Sequence, residues 1–264
     1  MHQRTEVNGQ PADVETLAFL AQVNYGHFTS MQVRDGSVRG LGLHLDRLER
    51  ATRRLFGSTL DRRCVREWLR QAVAGGSVSA RVTVFSRRLD RARLEQPVDV
   101  DVLVATTPMR DPDHTPLRVR SIVHERVLPE TKHVGTFDLL HHWREARLAG
   151  VDDVVFTSAT GAISEGSIWN IGFWDGTTLV LPSAPSLPGI TTQLVEAGLA
   201  AGGTRCVRRE VRAGRFDGLR SAFAMNSGSP CRPIASIDGH AFALDGELVV
   251  RVQAAYSSRP MERI

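Results

Sequence analysis

The sequence predicts a mixed α/β fold of the α+β kind, divided into a small N-terminal domain and a larger C-terminal one. Three observations predict it. Runs of helical period and runs of strand period alternate in both halves of the chain. A stretch holding Pro108, Pro112 and Pro116 interrupts both periods. The 264 residues are also enough for two cores. The expected division is a small α/β domain over 1–105, an interdomain linker over 106–116 and a larger mixed β/α domain over 117–264.

In chain order, Thr16–Leu20 reads as a short helix or turn. Gln22 to Val33 carries β-type residues up to the Asp35-Gly36 turn, which predicts a hairpin with Ser37–Gly42. The first clear helix follows, because Leu43, Leu45, Leu48, Ala51 and Leu55 recur on one face before Gly57 stops it. Asp61–Ala74 predicts a second amphipathic helix, and Ser79–Ser86 and Val98–Ala105 predict strands. Beyond the linker, Leu117–Val123 reads as a strand, and Phe137–Ala149 as a helix after an irregular piece that contains Lys132. Strands are expected at Val154–Thr157, Trp169–Trp174 and Thr178–Leu181, then a helix from Ile190 to Gly202 behind Pro188-Gly189. Strands at Thr204–Arg209, Ser221–Met225 and Ile234–Ile237, a helix over Gly246–Ala255 and a polar tail complete the chain.

Composition narrows the function classes. Hydrophobic residues at 42% and charged ones at 23% describe an ordinary globular chain. Met1 to Glu15 is polar and no long uncharged apolar run occurs, so neither a signal peptide nor a membrane span is expected, and the location expected is cytoplasmic. Cys64, Cys206 and Cys231 are too scattered for a disulfide framework or a zinc site. The net charge of +4 is spread among acids, as in Asp46-Arg47-Leu48-Glu49-Arg50, with no aromatic-interleaved basic run, which speaks against a nucleic-acid partner.

One residue type stands apart. Of 33 strong cations, Lys132 is the one lysine and all the rest are arginine. What arginine lacks is a primary amine that can lose its proton and attack a carbonyl. Lys132 is therefore a candidate for a Schiff base with a carbonyl cofactor, most readily pyridoxal phosphate (PLP), an electron sink. A stray surface lysine would produce the same count. PLP asks for an amine, an anion for its pyridine nitrogen, and amides, hydroxyls and a cation for its phosphate. Glu165, in Ser164-Glu165-Gly166, is a candidate anion, although a carboxylate there, taken alone, reads more readily as an exposed turn residue. Leu187-Pro188-Gly189-Ile190-Thr191 opens a helix whose unpaired amides favour a phosphate. Asn226-Ser227-Gly228-Ser229 offers a second phosphate wall, and Arg47 a cation.

Taken together, these pieces resemble the class IV aminotransferases, the fold-type IV PLP enzymes that include branched-chain and D-amino acid aminotransferases and aminodeoxychorismate lyase. The resemblance rests on His44-Leu45-Asp46-Arg47-Leu48, Lys132 with Ala149-Gly150, Ser164-Glu165-Gly166 with Asn170, Leu187-Pro188-Gly189-Ile190-Thr191, and Phe223 with Ser227 and Pro233, in the family's order. It implies two α/β domains with the cofactor between them, and a homodimer. It implies Lys132 as Schiff-base lysine and proton carrier, and Glu165 as the pyridine partner. Arg47, Ile190, Thr191, Ser227 and the Gly228 amide would hold the phosphate.

Where the family often has Asn and Tyr after the lysine, this chain has Gly135 and Phe137, so substrate preference does not transfer. Phe28-Thr29-Ser30 replaces the usual Phe-Glu, and Gln32 a frequent arginine; a hydroxyl after Phe resembles the lyase branch, which makes Ser30 a candidate substrate-site residue, with a strand residue facing its neighbours as the alternative. Arg81, in an otherwise apolar strand, is either a substrate carboxylate holder or half of an internal ion pair. His133, His141 and His142 lack acidic partners at ligand spacing, and no metal site is expected. The leading expectation is an aminotransferase moving an amino group between an amino acid and a 2-oxo acid. The alternative is a PLP lyase of the same fold that releases pyruvate. A third reading is a binding protein of the same fold without chemistry, against which the retained lysine speaks.

Overall fold

The computed structural model describes residues 4–109 and 111–264. Met1–Gln3, in the expected polar N-terminal segment, and Arg110, in the expected linker, lie outside the described residues. The chain forms two compact units. The first runs to Asp111 and takes in Thr131–Gly135 and Pro260–Ile264; the second consists of Pro112–Glu130 and Thr136–Arg259.

The first unit opens with β1 (Arg4–Val7), β2 (Gln10–Pro11), α1 (Val14–Gln22), β3 (His27–Val33) and β4 (Ser37–Arg39). It continues through α2 (Leu41–Phe56), α3 (Arg62–Val73), β5 (Val78–Phe85) and β6 (Asp101–Pro108). Five strands form an antiparallel sheet in the order β2-β1-β6-β5-β3. Alternation sends Met31, Val33, Val82, Val84, Val102 and Val104 to one face, where the apolar stripes of α2 (Leu41, Leu48, Phe56) and α3 (Val65, Leu69) close a core. The opposite face is divided. Phe19 and Leu20 of α1 pack with Val7, Phe85 and Leu103, whereas the β3–β5 part carries Phe28, Ser30 and Gln32 across from Thr83, Arg81 and Ser79.

Local chemistry explains the boundaries. Asp13 caps α1 by accepting from Thr16 N at 2.6 Å, so the helix persists to Gln22 where the sequence suggested strand. The Asp35-Gly36 turn is present with φ of 48° and 67°. The expected hairpin, however, narrows to one Arg34–Ser37 bridge, because β4 pairs elsewhere. Thr106–Pro108, expected in the linker, complete β6, where a proline is tolerated at the last position.

The second unit contains β7 (Leu117–Val123), α4 (Phe137–Leu148), β8 (Asp153–Thr157), β9 (Ile163–Gly166), β10 (Asn170–Trp174) and β11 (Thr178–Pro182). It ends with α5 (Ile190–Ala201), β12 (Arg205–Arg209), β13 (Ser221–Asn226), β14 (Ser229–Ile237), β15 (His240–Ala241) and α6 (Gly246–Ser257). The sheet order is β12-β11-β10-β13-β14-β7-β8-β9, with β15 beside β14. It is mixed, with parallel pairs β11–β12, β14–β7 and β7–β8. One side packs Ile171, Phe173, Val180 and Ile234 into a core; the other packs Leu179, Leu181 and Phe223 against Val195 of α5 and Val252 of α6. Those two helices touch so closely that a Cβ at Gly198 would lie 2.1 Å from the Ala255 carbonyl oxygen.

Two short segments leave the neighbours they have in sequence. Thr131–Gly135 pairs with β3 of the first unit: Phe28 N donates to Lys132 O at 2.8 Å, Val134 N to Gly26 O at 2.9 Å, and His27 bridges His133. The expected polar tail forms β16 (Met261–Arg263), antiparallel to β4, and Ile264 enters the first unit's core.

Candidate active site

In the first unit, main-chain pairing fixes Lys132 against β3, and its Nζ stands 4.9 Å from the centre of the Phe28 ring. The Arg81 guanidinium lies over the same ring at 3.6 Å, with Arg81 Nε donating to Thr83 Oγ1 at 3.3 Å. Partial burial lowers the Arg81 pKa from its ordinary value, which still leaves it a cation at neutral pH. Ser30 pairs with Arg81 across the two strands and is two residues from Phe28, hence on the same face. Lys132 and Arg81 thus meet one aromatic ring, and Ser30 lies on the same face of β3.

Thr29 points the other way. Its Oγ1 shares a 2.6 Å hydrogen bond with His44 Nδ1 of α2, so of the two hydroxyls after Phe28 only Ser30 shares a face with that ring. Burial, helped by the charge of Arg47, pushes the His44 pKa down to about 3, and the imidazole is neutral. Arg47 itself is buried one turn further along α2.

In the second unit, Glu165 lies on β9 at 5% exposure, buried rather than in the exposed turn that was the alternative. Its Oε1 receives Arg126 Nη1 at 3.0 Å, and both side chains are under a tenth exposed. Its Oε2 receives Leu187 N at 3.3 Å and Asn170 Nδ2 at 3.5 Å. Asn170 also donates to Leu187 O at 2.9 Å and accepts from Thr192 Oγ1 at 3.1 Å. One carboxamide therefore joins the carboxylate to the loop and first turn of α5. No side chain caps α5 at Gly189, and Ile190, Thr191 and Thr192 are buried there, an arrangement whose amides and dipole suit an anion. Beside it an open recess of about 290 Å³ is bounded by Asn170, the 182–189 loop, Gln193 and Arg208.

Ser227 and Gly228 form the tip between β13 and β14. The Gly228 amide is engaged, donating to Asn226 Oδ1 at 2.9 Å, as does Ser229 N at 3.0 Å. The family resemblance implies that this amide holds a phosphate; in the structure it donates to Asn226. The sequence alone singles out neither Arg126 nor the joining role of Asn170. Nothing in Glu125-Arg126-Val127 separates that arginine from the others, and only the fold brings it to Glu165. Among the described residues no group of three or more His, Cys, Asp or Glu could hold a metal ion, and no helix is long and apolar enough to cross a membrane.

The family model for amino-transferase class IV matches residues 26–237. Among solved structures, the branched-chain aminotransferase of the thermophilic archaeon Thermoproteus uzoniensis, determined with norvaline, superposes with a TM-score of 0.84 and 18% identity over 96% of this chain and 94% of that one. A hypothetical aminotransferase of Mycobacterium tuberculosis, determined in its PLP-bound form, gives 0.75 and 19% over 90% and 89%. A Legionella pneumophila protein provisionally described as a 4-amino-4-deoxychorismate lyase gives 0.76 and 19% over 89% and 91%. At such identities the likeness is one of fold. No curated protein matches the chain.

Proposed function

The chain belongs to the amino-transferase class IV family, and from that premise we propose that it is a PLP-dependent aminotransferase, moving an amino group between an amino acid and a 2-oxo acid. The residues present fit that cofactor: a buried carboxylate kept beside a cation, a helix start without a side-chain cap, and a buried arginine on α2. When bound, PLP supplies the electron sink that stabilises charge left at a substrate Cα. In this reading Lys132 would hold the cofactor through Nζ, and its amine would carry the proton of a substrate Cα. Glu165 accepts from the pyridine N–H. Arg47, the Ile190 and Thr191 amides, the Thr191 hydroxyl and Ser227 hold the phosphate, and Gly228 joins them only if Asn226 turns away. Arg81 takes a substrate carboxylate as a charge-assisted partner. Amino acids and oxo acids are the small-molecule partners; a homodimer and a cytoplasmic location belong to the same proposal.

The observation that carries this reading is the placing of the chain's one lysine, tied by main-chain hydrogen bonds to β3 with its amine beside Phe28. The test is the visible spectrum of the protein with added PLP, then borohydride reduction and peptide mapping. We expect an absorption band and a reduced label on Lys132, both lost in Lys132→Arg, which keeps the charge but not the amine. A folded protein showing neither band nor label in excess PLP would end the catalytic reading.

One observation favours the lyase alternative: Ser30, not Thr29, faces the Lys132 side of β3. If pyruvate release from aminodeoxychorismate is the activity, Ser30→Ala should abolish it while the PLP band persists. Intact amino transfer in Ser30→Ala, with no pyruvate formed by the wild type, would retain the leading reading.

A further inference from the structure

The Arg126–Glu165 pair asks for a reason. Withdrawing two charges from water is costly, and well-packed apolar side chains often fill such a space equally well. Glu165 is already fixed by two neutral donors, Leu187 N and Asn170 Nδ2. The guanidinium also does a second thing. Arg126 Nη1 reaches Pro129 O at 3.5 Å, closing a turn in which Leu128 adopts a φ of 49°. A branched side chain avoids that left-handed region unless its surroundings enforce it. Pro129 is three residues before Lys132. One side chain thus fastens both the carboxylate of β9 and the strained turn from which the chain runs on to the lysine.

We propose that Arg126 is a positioning residue that acts through Glu165, holding that carboxylate ionised and aimed for a pyridine nitrogen while locking the Arg126–Pro129 turn. The proposal rests on the role given to Glu165 above, and its test is divided so that the two can fail separately. The variants are Arg126→Lys, Arg126→Met, Glu165→Gln and the double variant Arg126→Met/Glu165→Gln.

The first arm uses the cofactor-free protein and follows unfolding by denaturant across pH. Removing the guanidinium takes away a cation 3.0 Å from Glu165 Oε1, so that carboxylate binds a proton more tightly in the folded variant than in the folded wild type. A raised folded pKa gives stability that is whole below the unfolded value and lost as pH rises through the folded one. The unfolded chain titrates alike in both proteins, so the deficit of Arg126→Met against wild type should widen as pH rises from the wild type's folded pKa toward the variant's, by up to tenfold in the folded-to-unfolded ratio per pH unit. In the double variant the deficit should stay flat, and Arg126→Lys should restore most of the wild-type profile.

The second arm titrates the visible band of the PLP-loaded protein. Arg126→Met and Glu165→Gln should move its midpoint in the same direction, and Arg126→Lys should leave it near the wild-type position. A pH-independent deficit in Arg126→Met, or an unmoved band, would overturn the proposal and reduce Arg126 to packing. Should Arg126→Met fail to fold, Arg126→Gln carries both arms. If the wild type takes up no PLP, the aminotransferase reading falls, and the first arm alone decides whether Arg126 keeps Glu165 charged.

Discussion

A methyl group at Gly189 would sit 1.9 Å from Asn170 Oδ1, the atom that accepts from Thr192. Because Asn170 also reaches Glu165 and Leu187 O, the crowding would spread to the carboxylate. Gly189→Ala should cost about 1–3 kcal/mol of stability, as overpacking does, and weaken PLP binding, measured by thermal unfolding and by fluorescence titration with PLP; unchanged binding would mean that Asn170 yields without consequence. At this scale the sequence was legible in proportion to rarity. Lys132 announced itself as the one lysine among 33 strong cations. Arg126 stood among many arginines, and its partner lies 39 residues away. Glu165 had a candidate role, but its burial comes from partners in other elements, which no local pattern reveals.

Packing of α2 on β3 buries two imidazoles, His27 at 0% and His44 at 4% exposure. His27 Nε2 meets Thr52 Oγ1 at 3.0 Å, and burial pushes both pKa values from 6.5 to about 3. A histidine that folds neutral gives stability that is whole above its unfolded pKa and lost as pH falls toward the folded one. Each should therefore remove about 1.4 kcal/mol per pH unit below about pH 6.5. Denaturant unfolding at successive pH values should show this slope, and His44→Gln, which cannot take the proton, should remove one histidine's share. An unchanged slope in that variant would place the acid sensitivity elsewhere. Elements were legible where they were long. The 3.6-residue period located α2 and α3 to within two residues at either end, whereas β9, β15 and β16, of four, two and three residues, take their identity from the strands they pair with.

The two units are not successive stretches of chain. The first unit runs to Asp111, and the outlying segments Thr131–Gly135 and Pro260–Ile264 join it through long-range pairing. Removing Pro260–Ile264 should therefore weaken the beginning of the chain rather than its end. Burial of Ile264 alone accounts for about 2–3 kcal/mol, and the β4–β16 pairing and the Arg263 Nη1 contact with Asp35 O would go with it. Limited proteolysis of the truncated protein should cut first within α2 and α3; cuts confined to the second unit would contradict this assignment. The same return of β16 sets a clock on synthesis. Residues 260–264 leave the ribosome about 150 residues after Asp111, which at about 5–20 residues per second is roughly 7 to 30 seconds. Throughout that interval β4 lacks its β16 partner and the place of Ile264 in the first unit's core is unfilled.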